Sequence, residues 1–144
     1  MNGRTSHILS LISKIHAQSA SFLKAELQKR GLPEMVSSHG NILFQLSRNE
    51  KMSMRELSEA IHRDKSTVTA LVNKLKEQGY VERIQSETDS RVVFVQLTEK
   101  GKTYTVETGA ISSALNEKCF AGFTEQNKDA LYSLLSRISE NFAE

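Results

Sequence analysis

The stretch Lys65-Ser66-Thr67-Val68-Thr69-Ala70 places three short hydroxyls within four residues, with Arg63 just before it and Asn73-Lys74 just after. Hydroxyls both donate and accept hydrogen bonds, and these are short enough to meet base edges or phosphates without crowding a helix lying in a groove. Ala70 is small enough for close approach or a thymine methyl contact. Arg63 and Lys65 suit phosphates at the entrance of such a groove, and Asn73 and Lys74 suit the backbone further along. A second group, Asp89-Ser90-Arg91, ends the wholly polar run that begins at Gln85. An arginine at a hairpin tip can enter a narrow minor groove, where negative potential concentrates. Asp89 would repel phosphate, so its expected work is to orient Arg91 or to hold the turn through backbone amides two residues on.

Taken singly, each of these features is ordinary: Ser, Thr and Lys on an exposed helix are usually just solvated, and a polar loop with one Arg is usually only a loop. Their order along the chain is what gives them weight, and it rests on the elements that carry them. Ser53-Met54-Arg55-Glu56 is a capping box that starts a short helix with Met54, Leu57 and Ile61 on one face. The pattern breaks at His62-Arg63-Asp64 and restarts with Asp64 as N-cap. Val68, Leu71, Val72 and Leu75 then form an inward stripe that Gly79 ends. Two short helices about three residues apart predict a helix-turn-helix, whose second helix enters the major groove. Tyr80-Val81-Glu82-Arg83-Ile84 and Val92-Val93-Phe94-Val95-Gln96-Leu97 then change the period to that of strands, giving a hairpin and completing the outline of a winged helix.

Longer amphipathic segments flank this unit. Ile8, Leu11, Ile12, Ile15, Phe22, Leu23 and Leu27 predict a helix from Thr5 to Arg30, stopped by Gly31 and Pro33. A second helix, with Ser37 or Ser38 as cap, runs through Ile42, Leu43 and Leu46; Gly40 inside it suggests a close backbone contact or an early kink. Thr98 caps a helix with Tyr104, Ile111 and Leu115 on one face, and Thr124 starts a last helix striped by Leu131, Leu134, Leu135, Ile138 and Phe142. A winged helix of about 65 residues can cover only part of these outer stripes, which predicts that the first and last helices pair with a second copy of the chain; a monomeric bundle is the alternative. The fold class is mainly α with a small β-hairpin wing. One unit is expected over 1–144, with the winged-helix DNA-binding core at 35–98 and dimerisation helices at 1–34 and 99–144.

Composition narrows the function classes. The 144 residues are 38% hydrophobic and 25% charged, with a net charge of +2, values of an ordinary globular chain. The average hides a local surplus, since His62–Lys76 carries Arg63, Lys65, Lys74 and Lys76 against Asp64 alone, while the segment from 103 onward is acidic. No run approaches the roughly 20 apolar residues of a membrane span, and the first residues lack a signal peptide's apolar core, so a cytoplasmic location is expected. The single cysteine, Cys119, can form no intrachain disulfide, and a buried thiol is expected there over a redox sensor. No metal site and no cofactor are expected: the four histidines are scattered, and there is no phosphate-binding glycine loop, nucleophile elbow or HExxH motif. The chain is therefore not expected to be an enzyme, although a catalytic triad is recognised by geometry and not by order.

Residues from about Ser53 to Lys102 resemble the core of a MarR-type transcriptional regulator. The resemblance is carried by Met54-Arg55-Glu56-Leu57-Ser58-Glu59-Ala60, Asp64-Lys65-Ser66-Thr67-Val68-Thr69, and Asn73-Lys74-Leu75-Lys76-Glu77-Gln78-Gly79-Tyr80-Val81-Glu82-Arg83. The wing Asp89-Ser90-Arg91 and the closing Leu97-Thr98-Glu99-Lys100-Gly101 complete it. It implies a homodimer that presents two winged helices to a pseudopalindromic double-stranded DNA operator and represses transcription until a small ligand, often phenolic, or an oxidant alters the dimer. By motif position Ser66, Thr67, Thr69 and Asn73 become groove readers and Arg91 the minor-groove contact. The second helix departs from the family with Ser38-His39-Gly40-Asn41, where bulkier residues are common, so no effector-binding residues are assigned. His16 and His39 are candidates to line an effector pocket between the dimer helices and the DNA-binding unit, but a satisfied or exposed histidine is the more ordinary reading and is preferred. A winged helix used only for protein contacts is the rival reading, and it requires no base-reading role for the hydroxyls or Lys65.

Overall fold

The computed structural model describes residues 3–143. A 3-10 turn, Thr5–His7, leads into α1 (Ile8–Lys29), followed by α2 (Ser37–Arg48), β1 (Met52–Ser53), α3 (Met54–Ile61), α4 (Lys65–Glu77), β2 (Val81–Gln85), β3 (Val93–Leu97), α5 (Glu99–Cys119) and α6 (Glu125–Glu140). The three strands form one antiparallel sheet in the order β1-β3-β2, with Met52 opposite Val95 and Ile84 opposite Phe94. The sequence reading lacks β1: two residues carry no periodicity, and the strand exists because β3 offers Met52 and Ser53 a free edge.

Local chemistry sets most helix ends. Ser53 and Glu56 close their capping box at 3.1 and 3.2 Å. Asp64 accepts the Thr67 backbone N–H at 2.7 Å, Thr98 caps α5 through the Gly101 N–H, and Thr124 forms a second capping box with Asn127. α2 is the exception. Its N-cap is Val36 with no side-chain cap, and Ser37 is already helical, so the expected serine cap is absent. Gly40 also differs from expectation, because a Cβ there would meet no atom within 4 Å; it borders a cleft, with no close backbone contact.

The core belongs to the winged helix. Ile42, Leu43 and Leu46 from α2 meet Leu57 and Ile61 from α3, Val68, Val72 and Leu75 from α4, and Val81, Val95 and Leu97 from the sheet. Leu71 is only partly buried against this cluster. α4 ends in a Schellman motif, in which Gly79 (φ 84°) and Tyr80 return their N–H groups to Lys76 and Leu75. α5 starts against this junction: the Thr98 hydroxyl donates to the Gly79 carbonyl and the Lys100 ammonium to that of Gln78. α1 lies along α5, tied by Arg30 to Glu107 at 2.6 Å.

The outer helices are not covered. Neither α1 nor α6 has a buried residue, and Leu11, Leu134 and Leu135 stand 56%, 59% and 42% exposed. The accessible surface of the chain is 10689 Å², whereas a compact monomer of this mass exposes about 7,500 Å². Among the described residues, no helix is long and apolar enough to cross a membrane.

Candidate nucleic-acid interface

α4 is amphipathic in the sense the interface needs. Val68, Val72 and Leu75 anchor it to the core, so Ser66, Thr69, Ala70 and Asn73, at steps of three and four, lie along the side away from those anchors. Ser66, Thr67, Ala70, Asn73 and Lys74 are exposed and Thr69 half-exposed. The entry to α4 is a tight turn: His62 takes a left-handed conformation (φ 56°), and the Ser58 hydroxyl donates to the Arg63 carbonyl at 2.6 Å. This leaves Arg63 and Lys65 exposed beside the helix N-terminus, and among the described residues neither side chain makes a hydrogen bond or ion pair. Two exposed cations beside a helix N-terminus favour an anion.

Hydrogen bonding sorts the candidate readers by what they still offer. The Ser66 hydroxyl donates to Asp64 Oδ1 at 3.0 Å. The Thr67 hydroxyl and backbone N–H, then Ser66, hold the Asp64 carboxyl below its usual range. The Thr69 hydroxyl donates to the Lys65 carbonyl at 2.8 Å. The Ser66 and Thr69 hydroxyl protons are thus turned onto the helix start, and lone pairs are what these two groups present outward. Asn73 is the reverse. Its Oδ1 accepts from Arg83 Nη2 at 2.6 Å, leaving the Nδ2 hydrogens as its outward group. Arg83 was not among the sequence candidates, since a partner ten residues away on a strand carries no periodic signal.

The wing holds its arginine as the sequence suggested. Arg91 donates from Nε to Asp89 Oδ1 (3.1 Å), from Nη2 to Oδ2 (3.2 Å) and from its backbone N–H to Oδ1 (3.0 Å). These bonds, the Arg91 guanidinium first, hold the Asp89 carboxyl below its usual range. Three of the five guanidinium N–H donors remain for a partner, and the side chain is 88% exposed. The Gln85 side-chain amide bonds the Ser90 carbonyl across the loop, and the Val92 N–H returns to the Asp89 carbonyl at 3.0 Å, so the tip is a closed turn.

Behind the interface lies a cleft of about 520 Å³ between α1, α2 and α5, lined by Leu23, Leu27, Phe44, Tyr104, Thr108 and Ile111 among others. Neither His16 nor His39 is among its lining residues. His39 turns instead to α4: its Nε2 is buried without a hydrogen-bond partner among the described residues. Burial, and then the charge of Lys74, push its pKa below the ordinary 6.5. Cys119 is exposed at the end of α5 rather than buried, and its basic neighbour Lys118 lies over the Phe22 ring. Among the described residues no cluster of His, Cys, Asp or Glu could hold a metal ion.

Comparison with known proteins agrees with this geometry. A family model described as MarR family matches residues 30–92. The chain is similar to the HTH-type transcriptional regulator BilQ of Clostridium symbiosum, 30% identical over 121 residues, spanning 83% of this chain and 81% of that protein. It is 33% identical over 107 residues to the HTH-type transcriptional regulator SarZ of Staphylococcus aureus, spanning 70% of this chain and 68% of that one. Its fold matches the heme sensor protein PefR of Streptococcus agalactiae, solved in complex with heme, with a TM-score of 0.74 at 21% identity over 99% of this chain and 96% of that one.

Proposed function

The chain belongs to the MarR family of winged helix-turn-helix, DNA-binding transcriptional regulators, and from that premise we propose that it is a homodimeric repressor that reads a pseudopalindromic double-stranded DNA operator and responds to a small-molecule or other signal. The observation that carries the reading is the outward face of α4: exposed polar groups on a helix clamped to the core by Val68, Val72 and Leu75, with Arg63 and Lys65 at its start. In this reading Ser66, Thr67, Thr69 and Asn73 face base edges, and Arg63, Lys65 and Lys74 face phosphates. Arg91, aimed by Asp89, enters the adjacent minor groove.

The dimer is supported by the surface. About 3,000 Å² per chain lies beyond what a folded monomer of this mass exposes, and the apolar stripes of α1 and α6 are where it is concentrated. An obligate homodimer interface of 2,000–5,000 Å² or more in total is of that scale. Two-fold symmetry then sets the recognition helices about 34 Å apart, or a multiple of that, to meet successive major grooves. The cleft between α1, α2 and α5 adjoins both the outer helix α1 and the winged-helix core, so a molecule lodged there would change how the two α4 helices are spaced. PefR is a heme sensor by its description; the effector of this chain is proposed only as a small molecule that this cleft admits.

Selection of bound sequences from random duplex DNA at fixed salt tests the reading. An enriched inverted repeat is expected, and enrichment of no motif would overturn it in favour of a winged helix used for protein contacts. Sedimentation equilibrium checks the assembly separately: a concentration-independent species of 16 kDa would refute the dimer.

A further inference from the structure

Arg83 stands outside the family motif's base-reading positions, yet it makes a contact with a direct chemical consequence. It lies on β2, and its guanidinium donates to the side-chain oxygen of Asn73 on α4 at 2.6 Å. Both residues are exposed, so this bond forms on the face that the reading above turns to DNA. The carboxylate next to Arg83 is otherwise engaged, because Glu82 accepts from Gln96 at 2.6 Å across the hairpin. Among the described residues Arg83 enters no ion pair. Its partner is a neutral amide, and the whole positive charge of the guanidinium remains beside it.

An asparagine amide is ambiguous to a base edge, since a half-turn about its last bond exchanges donor for acceptor. Arg83 removes the ambiguity. A guanidinium has no acceptor to offer Nδ2, so the flipped amide would set N–H groups against N–H groups. The bond also tethers the wing strand to the recognition helix, which fixes Asn73 laterally as well as rotationally. We infer that Arg83 is a positioning residue that makes Asn73 a pure donor toward the major groove, and so sets base preference at one pair of each half-site without touching it. An outward-facing pair of N–H groups accepts guanine (N7, O6), adenine (N7) or thymine (O4). It rejects cytosine, whose major-groove edge carries only the N4 amino donor.

This inference rests on the DNA-reading role proposed for α4, and the test separates the two. Random-sequence selections on full-length protein at one salt concentration are compared for wild type, Arg83→Ala, Asn73→Ala and the double variant, with thermal melts to confirm folding. Wild type should deplete cytosine about tenfold at one position per half-site, the scale of an unmatched hydrogen-bonding group. Arg83→Ala should reduce that depletion to about twofold at the same position, because a freed amide can turn its oxygen to the cytosine amine. Asn73→Ala should abolish it, and the double variant should match Asn73→Ala. If Arg83→Ala does not fold, Arg83→Met, which keeps the stem and removes every donor, takes its place with the same expectation. Arg83→Ala that weakens every sequence alike and flattens the salt dependence, with cytosine still depleted, would make Arg83 a phosphate contact and overturn the inference alone. Wild type that selects no motif would overturn the DNA-reading role, and the inference with it.

Discussion

Two glycines of the same helix should respond to alanine with opposite sign. At Gly101, in the first turn of α5, a Cβ would lie 2.1 Å from the Tyr80 carbonyl oxygen, 3.2 Å from its carbon and 3.1 Å from a Leu97 methyl. Ordinary contact demands more than 3 Å, so a backbone carbonyl must retreat by about 1 Å. That carbonyl accepts the Thr98 N–H at 3.1 Å, and the adjacent Gly79 carbonyl holds the Thr98 hydroxyl. Overpacking of this kind costs about 1–3 kcal/mol, and a weakened hydrogen bond about 1 more. Alanine's helical advantage offsets up to about 1 kcal/mol, leaving a loss near 2–3 kcal/mol. A chain of this length unfolds with an entropy of about 0.3 kcal/mol/K, so the melting temperature should fall by roughly 7–10 °C. At Gly109, in the middle of the helix, a Cβ meets nothing within 4 Å. Gly109→Ala should therefore raise the melting temperature by about 2–3 °C, through helix propensity alone. Circular dichroism melts at one fixed protein concentration measure both, since assembly makes the midpoint concentration-dependent. Gly101→Ala melting within 2 °C of wild type would refute the steric reasoning; the two variants moving together would refute the contrast between the sites.

Three other outcomes follow from the same geometry. Arg91→Ala removes one cation from each wing, so the slope of log affinity against log salt should flatten by roughly 1–2 for the dimer, whereas Thr67→Ala should leave the slope alone and change preference about fivefold at one base pair; equal losses on all sequences for Thr67→Ala would remove its reading role. Leu135→Asp places a charge in the apolar stripe of α6 and should shift sedimentation toward monomer, with operator affinity falling in step; an unchanged dimer would put α6 outside the interface. His39 is neutral in the fold to a lower pH than in the unfolded chain, because burial and Lys74 oppose its charge. The stability this contributes is therefore full above pH 6.5 and is lost as pH falls through the depressed folded value. Melting temperature should drop between pH 7.5 and pH 5.5 more steeply in wild type than in His39→Gln, and identical slopes would exclude His39 as the cause.

What was legible in the chain was what short-range chemistry determines. The caps at Ser53, Asp64, Thr98 and Thr124 each depend on a side chain reaching a backbone N–H three residues on, and all four form. The same holds for Asp89 and Arg91, whose fork is a two-residue affair. Groups whose environment comes from distant chain escaped the reading. Met52-Ser53 is a strand only because β3 lies beside it. Gly40 borders an open cleft because α1, α2 and α5, distant in the chain, meet around it. His39 faces α4 rather than the cleft because α2 packs against α4 as well as against α5.

The interface lies on the line between these two kinds of information. Its residue types and their faces could be read, because Val68, Val72 and Leu75 must point inward and the remaining positions of α4 then point out. The hydrogen-bonding state of each outward group could not, since it depends on which neighbours take up its donors. Ser66 and Thr69 spend hydroxyl protons on Asp64 and Lys65 at their own helix start, while Asn73 yields its oxygen to a strand ten residues on. The same letters would therefore present a different set of donors and acceptors with another residue at 83. If α4 reads DNA as proposed, specificity belongs to α4 together with β2, and substituting the recognition helix alone should transfer only part of it to another winged helix.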